Sequence, residues 1–181
     1  TEEMDKAPVT AYGKTKLLGE QNAEKAEKYY ILRTAWLYSE YGKNFVKTML
    51  NLRKQQDHID VIFDQVGSPT YAGDSANAII EIILAGSDEY GIFHFTNEGA
   101  ISWFDFTKGI LECDSTDDYA DLYDVNPITT EEYQKNHPSS TIRPLFSLLD
   151  KRKIKRAYGM EIPYWKESLK EVVQKIQYIN N

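Results

Sequence analysis

Tyr12 stands four residues ahead of Lys16 in the stretch APVTAYGKTKLLGE, residues 7–20. On a helix, residues four apart share a face. A lysine ammonium beside a tyrosine hydroxyl favours the phenolate. Such a phenol can donate a proton to a carbonyl being reduced, or accept one from an alcohol being oxidised. The plain alternative is a solvated helix face. With 13 Tyr and 16 Lys in 181 residues, roughly one such pair arises by chance, and one is found. The pair carries meaning only through its surroundings.

Other candidates are polar or aromatic groups at turns. In DQVGSPTYAGD, Gly67 and Pro69 make a turn expected to expose Gln65, Ser68 and Thr70 as one wall of a polar site. Trp36, in RTAWLY, is either core or an aromatic plane at the carboxyl end of a strand, where open α/β sheets bind ligands. Asn44 begins a helix, as an N-cap or beside amides that could meet a diphosphate. The histidines, His58, His94 and His137, are scattered without ligand spacing, and no metal site is expected. The acidic run 114–124 reads as solvated loop. No glycine-rich phosphate-binding turn occurs anywhere in the chain.

The elements that must position these groups alternate between helix and strand. A helix is expected over 9–28, started by Pro8 or Thr10, with Leu17 and Leu18 on an apolar side. YYILRTAWLY (29–38) reads as one buried parallel strand. A helix follows from Phe45 through Arg53. IDVIFD (59–64) is a second strand. Residues 74–86 form an apolar helix capped by Asp74 or Ser75 and stopped by Gly86. GIFHFTN (91–97) is a third strand, and Ser102 caps the next helix. Residues 114–144 read as long loop with short elements. A short helix follows, then a C-terminal amphipathic helix presents Leu169, Val172, Val173 and Ile176. The alternation predicts an α/β protein with a parallel sheet, although only three strong strands are visible.

Composition narrows the partners. A hydrophobic fraction of 41% supports a real core, and the net charge of −7 argues against nucleic acid and against anionic membrane surfaces. Cys113 is the only cysteine, so no intrachain disulfide forms and a reducing, cytoplasmic setting is expected. No apolar run approaches a membrane span. The chain opens on Thr1, which suggests an excised piece.

The order YGKTKLLGE, ILRTAWLY, GKNFVKTML, DQVGSPTYAGDSANAI, GIFHFTNEGAISWFDF and RPLFSLLD resembles the dTDP-4-dehydrorhamnose reductases, a family of extended short-chain dehydrogenases/reductases. The resemblance covers nearly the whole chain but only the later part of the family's proteins. It implies an incomplete Rossmann-like fold: the later strands and helices of the parallel sheet plus the small substrate-binding α/β region. Residues 1–43 would be the tail of the dinucleotide-binding domain. Residues 44–181 would be mainly substrate-binding, with 74–97 returning to the Rossmann sheet. Tyr12 would be the catalytic acid at the C4 oxygen of a dTDP-sugar, with NADPH or NADH as hydride source. Lys16 would bind the nicotinamide ribose and stabilise the Tyr12 phenolate. Trp36 would contact the deoxysugar, and Asn44 and Gln65 would lie near it. Arg143 would reach the diphosphate or brace the fold. RTAW stands where the family often reads RTSW, keeping a small residue.

The glycine-rich cofactor loop and the Ser/Thr of the triad are absent, so no reductase activity is expected of these residues alone. A homodimer through an open sheet edge is also expected. Two alternatives remain at this stage: a nucleotide-sugar epimerase or dehydratase, and a non-catalytic protein on the same scaffold, such as the regulatory subunit of methionine adenosyltransferase.

Overall fold

A computed structural model describes residues 1–114, 124–141 and 143–180. Helix α1 (Ala11–Ala23) starts where Thr10, in extended conformation, accepts the Gly13 N–H at 3.0 Å. It is shorter than the expected 9–28, because the chain tightens into turns at Lys25 and Ala26. The expected apolar side is not packed. α1 buries no residue, Leu17 is half-covered and Leu18 is 57% exposed. What holds the helix is charge: Arg33 Nε and Nη2 donate to Glu20 Oε1 and Oε2 at 2.8 and 2.7 Å, and Lys6 reaches Glu24 at 2.8 Å.

Strand β1 (Tyr30–Arg33) pairs in parallel with β6 (Gly91–His94), Tyr30 opposite Gly91 and Arg33 opposite His94. The single buried strand expected over 29–38 is interrupted. Trp36 takes a left-handed φ of 50°, and extended structure resumes only as β2 (Leu37–Tyr38), which pairs in parallel with β5 (Thr70–Tyr71). β1 is half-buried rather than buried, because β6 alone pairs with it among the described residues and α1 covers it loosely. β3 (His58–Ile62) pairs in parallel with β8 (Asp124–Ile128), and β4 (Val66–Gly67) runs antiparallel to β7 (Ile101–Ser102). Three parallel pairs joined through helices make this an α/β fold.

Helices α2 (Phe45–Arg53), α4 (Trp103–Asp114) and α7 (Trp165–Asn180) enclose the main core. Phe106, Ile110, Leu169, Val172 and Val173 are fully buried there, and Ile176 nearly so. The 3.6-residue spacing of α7 is what brings its four predicted residues inward together. Ser102 does cap α4: its N–H donates to Asp105 Oδ2 at 2.9 Å, and its Oγ accepts from Asp105 N at 3.0 Å.

Helix α3 (Ala72–Ala85) corrects a second expectation. Tyr71, not Asp74 or Ser75, stands at its N-cap, without a side-chain cap bond. Asp74 lies in the first turn and faces inward, accepting from Asn97 Nδ2 and Ser168 Oγ at 2.6 Å each. Gly86 ends the helix in the left-handed region, φ 57°, as expected. Ala78 and Ile82 face a second core with Phe93, Phe95 and Ile154, the last from α6 (Arg152–Tyr158). The outer face leaves Ile79, Ile80, Ile83 and Leu84 exposed. Of the stretch 114–144, residues 115–123 lie outside the described residues, and with them most of the acidic run; β8 and α5 (Thr130–Asn136) occupy much of the rest.

Hydrogen bonds from Arg33 hold the Glu20 carboxyl below the ordinary carboxylate range, outweighing the opposing effect of partial burial. A carboxylate depressed in the folded state contributes stability above its unfolded pKa and loses it as pH falls. Glu20→Gln should therefore cost about 1 kcal/mol near neutral pH. That deficit should shrink on acidification below about pH 5. Urea unfolding across a pH series checks both; a pH-independent deficit would refute the assignment.

Candidate substrate-binding site

Beyond the carboxyl end of β1 lies a cavity of about 950 Å³, walled by α2, β3, α4 and α5 and reached by the segment at Arg143. Its aromatic wall is built from distant parts of the chain. The indoles of Trp36 and Trp103 stack with centroids 3.5 Å apart and planes 9° from parallel. Phe45 packs 4.5 Å from Trp103 at 48°. Together they form an aromatic wall of the kind that suits a sugar.

Trp36 is held in a conformation that a bulky residue avoids. A positive φ costs it about 1–3 kcal/mol, so its surroundings must over-determine it. They do. Gly67 leaves room for the ring: a Cβ there would fall 2.6 Å from Trp36 Cε2. The loop that carries Gly67 does not expose its polar groups as expected. Ser68 and Thr70 are buried, donating to the carbonyls of Gly99 and Ala35 at 2.5 and 2.6 Å. The turn folds inward with its hydroxyls paired to the carbonyls of two half-buried residues.

Gln65 lines the cavity although it is largely buried; its Nε2 donates to Thr130 Oγ1 at 3.1 Å. Thr130 in turn donates its N–H and hydroxyl to Asp64, tying α5 to the end of β3. Arg143 is exposed at the cavity's edge and makes no ion pair among the described residues. Its place is set by the residues that follow it. Val66 N donates to Leu145 O at 2.8 Å, and Ser147 N to Val66 O at 2.9 Å, so this segment lies against β4.

The remaining predicted residues lie elsewhere. Asn44 caps α2: its Oδ1 accepts from Lys47 N at 3.2 Å, and its Nδ2 donates to Ser39 O at 2.7 Å and Tyr41 O at 3.2 Å. It is absent from the cavity wall. Tyr12 is 75% exposed, and Lys16 is exposed on the same helix. Neither lines the cavity, and neither side chain has a hydrogen-bond partner among the described residues. The structure thus gathers Trp36, Gln65 and Arg143, and leaves Tyr12, Lys16 and Asn44 outside that wall.

Sequence reasoning passed over Trp103 and the pair of Tyr133 on α5 and His137 at its C-cap, whose rings stack 4.3 Å apart at the cavity's edge. The i, i+4 spacing of that pair was the available signal. Trp103 had none, since its partner is 67 residues away in sequence. Among the described residues no group of three or more His, Cys, Asp or Glu stands close enough to hold a metal ion, and no helix is long and apolar enough to cross a membrane.

Parallel strand pairs, an exposed tyrosine–lysine helix and a cavity at a strand's carboxyl end make an α/β arrangement of the extended short-chain dehydrogenase/reductase kind. The comparisons with known proteins agree and go further. The chain belongs to the RmlD substrate binding domain family, whose sequence pattern matches residues 1–178. It is 42% identical over 171 residues to a dTDP-4-dehydrorhamnose reductase of Aggregatibacter actinomycetemcomitans, covering 91% of this chain and 57% of that protein. The crystal structure of a dTDP-4-dehydrorhamnose reductase from Clostridium acetobutylicum is 42% identical, with a TM-score of 0.84 over 97% of this chain and 59% of that one. Another from Bacillus anthracis, in complex with NADP, is 36% identical with a TM-score of 0.82, covering 96% of this chain and 58% of that one. The chain therefore spans little more than half the length of the relatives it matches. UDP-sugar epimerases share the fold at 15–17% identity and TM-scores of 0.71–0.75, a likeness of fold alone.

The Trp36–Trp103 stack should be worth about 1 kcal/mol beyond the area it covers. Trp103→Leu is expected to lower stability by at least that amount in urea and to abolish the exciton couplet of the indole pair in circular dichroism. A retained couplet would show that the two rings do not stack in solution.

Proposed function

We propose that this chain is the substrate-binding part of an NAD(P)H-dependent reductase that converts dTDP-4-dehydro-L-rhamnose to dTDP-L-rhamnose in the cytoplasm. The observation that carries the reading is one cavity holding an aromatic plane, a buried amide and an edge guanidinium, Trp36, Gln65 and Arg143. A sugar diphosphate asks for those three chemistries: a ring to stack, hydroxyls to bond and a doubly charged anion to meet. Half-buried Trp36 suits the sugar, and exposed Arg143 suits the diphosphate. Asn44, bound into its cap, would act on substrate only through the backbone it shapes. The reductase reading is supported over an epimerase or dehydratase because the likeness to reductases extends to sequence.

Tyr12 is the proton donor to the C4 oxygen in this reading, and Lys16 stabilises the phenolate left behind. The donor set of this chain fits the nicotinamide-ribose end of a dinucleotide: one phenol and one ammonium on an exposed helix face. When bound, NADPH or NADH supplies the hydride. Nothing in the 181 residues offers a glycine-rich turn for its diphosphate. Residues 1–43 accordingly belong with the dinucleotide-binding domain and 44–181 mainly with substrate binding, with 74–97 returning to the Rossmann sheet.

The chain alone should show no turnover of dTDP-4-dehydrorhamnose with NADPH, and measurable turnover would overturn the division of labour. Arg143→Ala should weaken dTDP binding roughly tenfold in calorimetry without changing the unfolding midpoint. In a protein that joins this sequence to a complete dinucleotide-binding half, Tyr12→Phe should lower kcat on the order of 10²–10⁴-fold. The edge of β1 that is unpaired among the described residues and the exposed isoleucines of α3 also support self-association. Light scattering should report a dimer, and a monomer at high concentration would count against it.

A further inference from the structure

We propose that Thr70 is a positioning residue for Trp36, acting with Gly67 as a mould that sets the sugar-facing indole. Thr70 has no exposed surface and does not line the cavity, so it cannot touch a ligand there. It does hold both peptide planes that flank Trp36. Its Oγ1 donates to Ala35 O at 2.6 Å, fixing the plane before Trp36. Its N–H donates to Trp36 O at 3.1 Å, fixing the plane after. The relative orientation of those two planes is the φ and ψ of Trp36. One residue thereby imposes the left-handed backbone, φ 50°, that breaks the strand and turns the indole toward the cavity.

Thr34 strengthens the assignment, because its hydroxyl donates to Thr70 Oγ1 at 3.1 Å and leaves the Thr70 proton directed at Ala35 O. Gly67 completes the mould at the ring itself. A methyl group there would overlap the ring, at 2.6 and 2.8 Å from Cε2 and Cζ2, and would also meet Ser147 Oγ at 2.7 Å. Gly67, close to Cε2 and Cζ2, and the stacked Trp103 both border the indole. Removing the Thr70 hydroxyl frees the Ala35 carbonyl and lets Trp36 relax toward extended backbone, which swings its side chain off Trp103.

The test reads the indole pair directly, so it does not depend on the sugar assignment on which the word "sugar-facing" rests. Thr70→Val keeps the shape and the N–H but removes the hydroxyl. Its folded form should lose more than half of the Trp36–Trp103 couplet, while Thr70→Ser should retain it. Trp36→Phe supplies the zero. A role in stability alone would lower the unfolding midpoint and leave the folded-state couplet intact; that result in Thr70→Val would overturn the proposal. Should Thr70→Val not fold, Thr70→Ala removes the same hydroxyl with less bulk, and Gly67→Ala should displace the ring itself. An unchanged couplet in both would be equally decisive against the mould. Titration with dTDP-L-rhamnose, measured alongside, tests the sugar reading separately. Binding should weaken in proportion to couplet loss, by up to tenfold. Loss of the couplet with unchanged binding leaves the mould standing and removes the sugar from Trp36.

Discussion

Asn97 has no exposed surface, and its hydrogen-bonding groups join four separate parts of the chain. Its Oδ1 accepts the Tyr71 N–H at 2.7 Å, and its backbone N–H donates to Pro69 O at 3.2 Å. These two bonds bracket Thr70. Its Nδ2 reaches Asp74 Oδ2 at 2.6 Å and Ser168 Oγ at 3.0 Å, on α3 and α7. Its carbonyl accepts from Lys151 Nζ at 3.2 Å. A buried amide of this kind is costly when any bond is missing, at about 1–3 kcal/mol for each unsatisfied group. The consequence is that β5, α3 and α7 must settle together or not at all.

A sequence of brackets follows from that node. Asn97 fixes the peptides on either side of Thr70, and Thr70 fixes those on either side of Trp36. Each step moves closer to the cavity and from complete burial to half burial. Rigidity is thus generated in the core, where polar groups have no alternative partner, and delivered to an aromatic plane at the surface. Buried polar groups set orientation, since apolar packing alone tolerates many arrangements.

Most elements were legible in the sequence because they depend on local pattern. The face of α7, the cap at Ser102 and the stop at Gly86 all follow from residues within one or two turns of each other. What the sequence concealed depends on distant partners. YYILRTAWLY is strand-like throughout, and the break at Trp36 comes from Thr70, in another element. Asp74 has the look of a helix cap, but Asn97 and Ser168 draw it inward, and the helix begins three residues earlier. Ser68 and Thr70 look like exposed turn hydroxyls, yet the carbonyls of Gly99 and Ala35 claim both. Of the candidate site, Trp36 and Gln65 were found by residue type and Arg143 through the family resemblance, while Trp103 became visible only through its stacking partner.

The two kinds of candidate residue share one reference point although they do not share a cavity wall. Arg33 is the last residue of β1, and its paired bonds to Glu20 anchor α1, the helix of Tyr12 and Lys16. Trp36 follows three residues later, on the same chain end. The helix that would do the chemistry and the plane that would hold the substrate are therefore both registered against the carboxyl end of one strand. Because α1 buries nothing of its own, its position relative to Trp36 rests on the Glu20–Arg33 pair far more than on packing. Open α/β sheets place ligands beyond the carboxyl ends of their strands, and groups hung from such an end by short, charge-assisted or doubly bracketed links keep their spacing.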